Sequence, residues 1–173
     1  IINLQKPQDP RGRAQVAPTV CGSAPTDSVI IIDRSGSMTG TKFTSAKTAA
    51  KTFVDKLAVN TNNRIALVTY DATGVNNVQF TNNFASVKTA IDALILGGGT
   101  CIECGINKAK SEIQLRGRTG IKKAALLLTD GRANHIEGTS GTVTVTLAEQ
   151  KATDAVTSSS GIVFYTIGLG SDV

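Results

Sequence analysis

The chain of 173 residues has no Trp, a single His and a single Met, and only 4% of it is aromatic. Recognition of bases by stacking needs aromatic faces set among basic residues, and no such stretch exists here. The 18 Lys and Arg, against 13 Asp and Glu, are spread along the chain rather than blocked. Nucleic-acid binding is therefore not expected, and the net charge of +5 reads as a weakly basic, solvated surface. No apolar run approaches the ~18 to 20 residues of a membrane-spanning helix, so no membrane insertion is expected of this segment. The chain starts Ile1-Ile2-Asn3, neither a Met nor a basic region before an apolar stretch, and reads as a trimmed piece of a larger protein or assembly.

Cysteine, histidine and proline are scarce in informative ways. Cys21, Cys101 and Cys104 are too few for a four-sulfur zinc site within one chain, and His135 has no zinc-ligand spacing to any of them. Cys101-Ile102-Glu103-Cys104 is a C-x-x-C, which alone admits a disulfide, a redox pair or half a metal site. Proline is absent after Pro25, and all four (Pro7, Pro10, Pro18, Pro25) lie within residues 1–27. That stretch reads as a linker or an arm along a sheet edge, with a folded domain over 28–173. Charged residues make up 18% and hydrophobic ones 40%, a globular balance. Abundant Thr, Asn and Gly with sparse charge suits an extracytoplasmic bacterial protein.

From Ser28 the pattern changes to Val29-Ile30-Ile31-Ile32, a β-branched run without alternation, which predicts a strand buried on both faces. Phe43, Ala46, Ala50, Phe53, Val54 and Leu57 recur at helical spacing and predict a helix over Thr41 to Ala58, with Lys47, Lys51 and Lys56 on its wet face. Arg64 to Tyr70 and Val75 to Phe80 predict two strands whose short connection demands antiparallel pairing. Helices follow around Phe84 to Leu94 and Ile102 to Ile113, then a buried strand at Ala124 to Thr129. A polar loop, a helix marked by Leu147, Ala148, Ala152, Ala155 and Val156, and a last strand at Gly161 to Gly168 complete the pattern. Strands alternating with helices predict an α/β fold: a doubly wound, mostly parallel sheet with one antiparallel edge strand.

In such a sheet, ligands sit beyond the carboxyl ends of the strands. The first strand runs into Asp33-Arg34-Ser35-Gly36-Ser37, Gly97-Gly98-Gly99 delivers Thr100, and the central strand ends at Asp130. Two carboxylates and three hydroxyls are thus predicted at one edge. Oxygen donors of this kind suit a hard cation, Mg²⁺ before Ca²⁺ or Mn²⁺. With Ser35, Ser37 and Thr100 as near ligands and Asp33 and Asp130 acting largely through water, the cation keeps net positive charge and attracts a carboxylate from a partner. Enzymatic readings find less support. Ser35 stands where an aspartyl nucleophile would want a second acid, and neither G-x-S-x-G nor a Walker-type loop is present.

The D-x-S-x-S pattern at Asp33, Ser35 and Ser37, with Thr100 after the glycines and T-D-G at Thr129, Asp130 and Gly131, resembles the von Willebrand factor A domain. It is similar to that family's metal-ion-dependent adhesion site, with every liganding position filled. The resemblance runs from Ser28 to Asp172 and covers the family's first five strands. It implies a non-enzymatic, Mg²⁺-dependent module that engages a protein or matrix ligand, on an extracellular or cell-surface protein of bacterial, pilus-associated type. It also implies a further helix, strand and helix after the fifth strand, or a sheet completed by residues 1–27 or by another chain. An intracellular scaffold of chelatase-like type is the alternative. Cys101 and Cys104 depart from the family's usual small polar residues. A disulfide stiffening the Thr100 loop is expected there, with a redox pair acting on the metal site, free thiols, or pairing with Cys21 as alternatives; a bridge would argue for an oxidising compartment. Arg34, Arg132 and His135 are candidates for the ligand rim.

Overall fold

A computed structural model describes residues 24–131, 133–139, 141–159 and 161–169. In chain order its main elements are β1 (Thr26–Asp33), α1 (Thr41–Ala58), β2 (Arg64–Tyr70), β3 (Gly74–Thr81), α2 (Phe84–Asp92), α3 (Ile102–Arg116), β4 (Lys122–Thr129), α4 (Val145–Thr157) and β5 (Ile162–Gly168). The five strands form one sheet in the order β3-β2-β1-β4-β5, with β3 antiparallel to β2 and the other neighbours parallel. This is the doubly wound, mostly parallel α/β sheet that the sequence predicts.

The unbroken apolar run of β1 follows from its central place. Ile30 and Ile32 pack on one layer with Phe43, Ala46, Ala50 and Val54 of α1 and Val87 and Ile91 of α2. Val29 and Ile31 pack on the other with Ala109 and Ile113 of α3. A strand covered on both faces cannot alternate polar residues, so every position from Asp27 to Asp33 is buried. Edge strand β3 does alternate, and its register with β2 shifts twice. At that irregularity the Phe80 amide donates to Glu112 Oε1 (2.9 Å) instead of to the ladder. Glu112 is buried on α3 and also accepts from Asn76 Nδ2 (2.6 Å) and Arg116 Nη1 (3.0 Å).

Two expectations for helix faces are revised. Lys47 does not simply face water: its ammonium donates to Asp92 O (3.0 Å) and Leu94 O (2.7 Å), satisfying carbonyls where α2 ends. In α4 the buried residues are Ala148 and Ala155, while Leu147 and Val156 are exposed. The expected arm over residues 1–27 lies outside the described residues except for its last four. Among the described residues no helix is long and apolar enough to cross a membrane.

The amino edge of the sheet is closed by a charge cluster. Asp27 is fully buried and accepts from Arg64 Nε and Nη2 (3.1 and 2.8 Å) and from Arg118 N, Nε and Nη2 (2.7, 2.9 and 2.6 Å). Lys123 Nζ stands 3.6 Å away. The opposite, carboxyl edge contains the switch point: the chain leaves β1 toward β2 on one side, while β4 pairs on the other. The crevice this opens between the ends of β1 and β4 is where α/β sheets of this kind place ligands.

Candidate functional site

Asp33 is the last residue of β1 and is fully buried. Register places it opposite Tyr70, the last residue of β2. The Tyr70 hydroxyl donates to Asp33 Oδ2 (3.1 Å), and so does Thr129 Oγ1 at the end of β4 (2.7 Å). The Ser35 amide donates to Oδ1 (2.8 Å). Burial pushes the Asp33 carboxyl above its usual range, opposed by the bonds from Ser35, Thr129 and Tyr70. Burial and the neighbouring Asp33 charge push the Tyr70 hydroxyl well above its own range, so Tyr70 keeps its proton and acts as a donor.

After Asp33 the chain makes a 3-10 turn over Gly36–Met38. Met38 is fully buried in the α1 layer, which anchors the turn and aims the two serines at one spot. Ser35 Oγ and Ser37 Oγ are 3.0 Å apart. Ser37 Oγ donates to Asp130 Oδ1 (2.8 Å), and Lys42 Nζ of α1 lies 2.5 Å from Asp130 Oδ2. Ser35, Ser37 and Asp130 therefore form a continuous chain of oxygen atoms directly above the buried Asp33.

The third loop is tied to the other two through backbone. Gly97 N donates to Arg34 O (2.6 Å), Ala72 N to Gly98 O (2.8 Å) and Cys101 N to Asp71 O (2.7 Å). Asn134 clasps Thr100: its side-chain oxygen accepts from Thr100 N (2.8 Å) and its amide donates to Thr100 O (2.9 Å). Gly99 has φ +74, and a Cβ there would come within 2.9 Å of His135 Cε1 and 3.0 Å of Ala72 Cβ. A Gly99→Ala variant is expected to lose about 1 to 2 kcal/mol from the left-handed backbone alone, with further strain against the ring. Urea unfolding checks this; an unchanged midpoint would mean the loop is not held in this conformation.

Cys101 and Cys104 are joined as a disulfide across the first turn of α3. That turn presses on the site from behind, since a Cβ on Gly105 would lie 2.5 Å from Tyr70 Cδ1. The bridge thus lies in the turn that follows Thr100 and packs against the tyrosine that holds Asp33. Cys21 lies outside the described residues.

Of the expected rim residues, Arg34 turns aside and pairs with Asp71 (2.8 Å). The His135 ring sits next to the Thr100 loop, with Nδ1 2.6 Å from Asn134 Oδ1. Arg132 lies outside the described residues. Tyr70, Asn134 and Lys42 were not singled out from the sequence. The one sequence trace of Tyr70 is a hydroxyl at the end of a buried strand, which must find an acceptor; the β1–β2 register makes that acceptor Asp33.

The donor set can be tested for its fit to a cation. Among the described residues no group of three or more His, Cys, Asp or Glu side chains is placed to hold a metal ion. The Ser35 and Ser37 hydroxyls, the Asp130 carboxylate and a buried Asp33 whose hydrogen-bond donors here are all neutral do fit a hard cation sharing its shell with water.

The model of the von Willebrand factor type A domain matches residues 27–173, and the chain belongs to that family. Matrilin-3 of Mus musculus is 34% identical over 125 residues, which is 65% of this chain and 26% of matrilin-3. An uncharacterized protein of Synechocystis, sll0103, is 31% identical over 113 residues, 64% of this chain and 26% of its own. The chain thus spans about a quarter of the length of the curated relatives it matches. Among solved structures, the vWF domain of the type V pili tip protein Mfa5 from Porphyromonas gingivalis superposes with a TM-score of 0.59 at 29% identity, covering 68% of this chain and 43% of that one. A von Willebrand factor type A structure from Catenulispora acidiphila gives a TM-score of 0.69 at 26% identity, covering 86% of this chain and 34% of that one.

Proposed function

We propose that this domain is a non-enzymatic, Mg²⁺-dependent adhesion module that binds an acidic group of a partner protein or matrix component at the carboxyl edge of its sheet. The observation that carries this reading is the oxygen chain Ser35–Ser37–Asp130 set over buried Asp33. Ser35 and Ser37 would hold the cation directly with Thr100, while Asp33 and Asp130 would accept hydrogen bonds from water bound to it. When bound, the cation supplies a positive centre that a partner's carboxylate can complete. Neutral hydroxyl donors leave that charge largely uncompensated, which favours recognition of an anion. Tyr70 and Thr129 keep Asp33 in place beneath the serines.

Placement on a bacterial cell surface or pilus is supported by the similarity to the Mfa5 tip protein and by the Cys101–Cys104 disulfide, which suits an oxidising compartment. The same bridge weighs against the alternative of an intracellular scaffold. The test is surface plasmon resonance of the immobilised domain against collagen, fibrinogen and fibronectin, in MgCl₂ and in chelator. Binding to at least one, present only with Mg²⁺ and lost in Ser35→Ala, is expected. Binding that ignores both the chelator and the variant would contradict the reading.

A further inference from the structure

Lys42 lies in the first turn of α1, a turn that contains no acidic residue. A cation there opposes the helix macrodipole, whose amino end favours negative charge. The placement calls for a specific partner, and the structure provides one: Lys42 Nζ crosses to Asp130 Oδ2 at 2.5 Å, linking α1 to the loop after β4. The Asp130 side chain is fully buried while that of Lys42 is 37% exposed. The carboxylate is thus fixed, and the lysine has a flexible stem and water within reach. Asp130's other oxygen is already taken by Ser37. The ammonium therefore holds one oxygen of the carboxylate whose other oxygen faces the serines of the proposed cation site.

Resting on the reading of the site as a Mg²⁺ centre, we infer that Lys42 is a tethered counter-ion that competes with the divalent cation for Asp130. With Lys42 on Asp130, the local charge is balanced by the chain itself and the serine hydroxyls bond to one another and to the carboxylate. Holding a divalent cation at the serines favours withdrawal of Lys42 into solvent, because two positive charges that share one carboxylate repel each other. Lys42 then sets the affinity of the site: it keeps the adhesion face closed on itself at low Mg²⁺ and releases it when the cation, or a partner carboxylate that stabilises the cation, shifts the balance.

The test is calorimetric titration of MgCl₂ into the chelator-treated chain as wild type, Lys42→Met and Lys51→Met. Lys51 is on the same helix and pairs with Asp92, so its variant makes the same charge change without touching Asp130. Lys42→Met is expected to bind Mg²⁺ about tenfold more tightly than wild type, and Lys51→Met within about twofold of it. In the wild type, the Lys42 side-chain NMR resonances should move toward solvated-lysine positions as Mg²⁺ is added. Binding seen only in Lys42→Met also supports the inference. Equal affinity in wild type and Lys42→Met, an equal gain in Lys51→Met, or unmoved Lys42 resonances at saturating Mg²⁺ would overturn it while leaving the metal centre standing. Absence of binding in both wild type and Lys42→Met would overturn the metal centre and the inference together.

Discussion

An Asp27→Ala variant is expected to unfold with about 3 kcal/mol less free energy than the wild type at neutral pH. Removing one partner of a buried ion pair typically costs about 3 to 5 kcal/mol because the charges left behind are uncompensated. Here Arg64 and Arg118 are partly exposed and can recover some hydration, which places the loss at the lower end. The expected pH dependence is specific. Burial alone would raise the Asp27 carboxyl, but the hydrogen bonds from Arg64 and Arg118 outweigh it and hold the group well below the usual carboxylate range. A carboxyl depressed by folding stabilises fully above its unfolded value of ~3.9 and loses that contribution as pH falls toward its folded value. The deficit of the variant is therefore full at pH 7 and shrinks from about pH 4 downward. Urea unfolding of both proteins at pH 7 and pH 3 reads it, and an equal deficit at both would mean that the Asp27 charge does not hold the amino edge together.

Asp130→Ala is expected to remove the response to Mg²⁺ while leaving a folded protein. Asp130 is the one site carboxylate with a cation already against it, and it bridges the serine pair to α1. Even a residue that only orients a metal's waters typically contributes about 10- to 100-fold to affinity. The upper end of that range is expected here, since Ser37 loses its acceptor as well. The fold should survive with a moderate loss, below the about 3 to 5 kcal/mol of a fully buried pair, because Lys42 is 37% exposed and already partly hydrated. Thermal unfolding in millimolar MgCl₂ and in chelator separates the two effects. A Mg²⁺-induced rise in Tm present in wild type and absent in the variant is expected, and an equal rise in both would contradict the role given to Asp130.

Much of this fold is legible in the sequence because its geometry leaves local traces. β1 is buried from Asp27 to Asp33 and β4 from Ala125 to Thr129, so each appears as a short apolar run. The predicted bounds of α1 match because its buried stripe has clean helical spacing. Asp33, Ser35, Ser37, Thr100 and Asp130 could be proposed together because each follows an apolar run or a glycine turn at the carboxyl edge. The contacts that hold the site were hidden for an equally physical reason. Tyr70 is the end of an apolar strand, and its hydroxyl matters only through register with Asp33. Lys42 has the appearance of a solvated helix lysine, and its partner is 88 positions away. Asp27 meets Arg118 across 91 positions, and Glu112 faces an irregularity in β3 that no spacing rule announces. The sequence patterns reveal which residues end strands; the pairings between loops come from the topology.

In the proposed function, the oxygen cluster at the ends of β1 and β4 holds a hard divalent cation. The most direct test is calorimetric titration of MgCl₂, and separately CaCl₂, into the chelator-treated wild-type chain. Saturable heat with one Mg²⁺ per chain is expected, absent from Asp130→Ala titrated the same way. Heat that persists undiminished in Asp130→Ala would place the cation elsewhere, and no heat in wild type for either ion would contradict the claim.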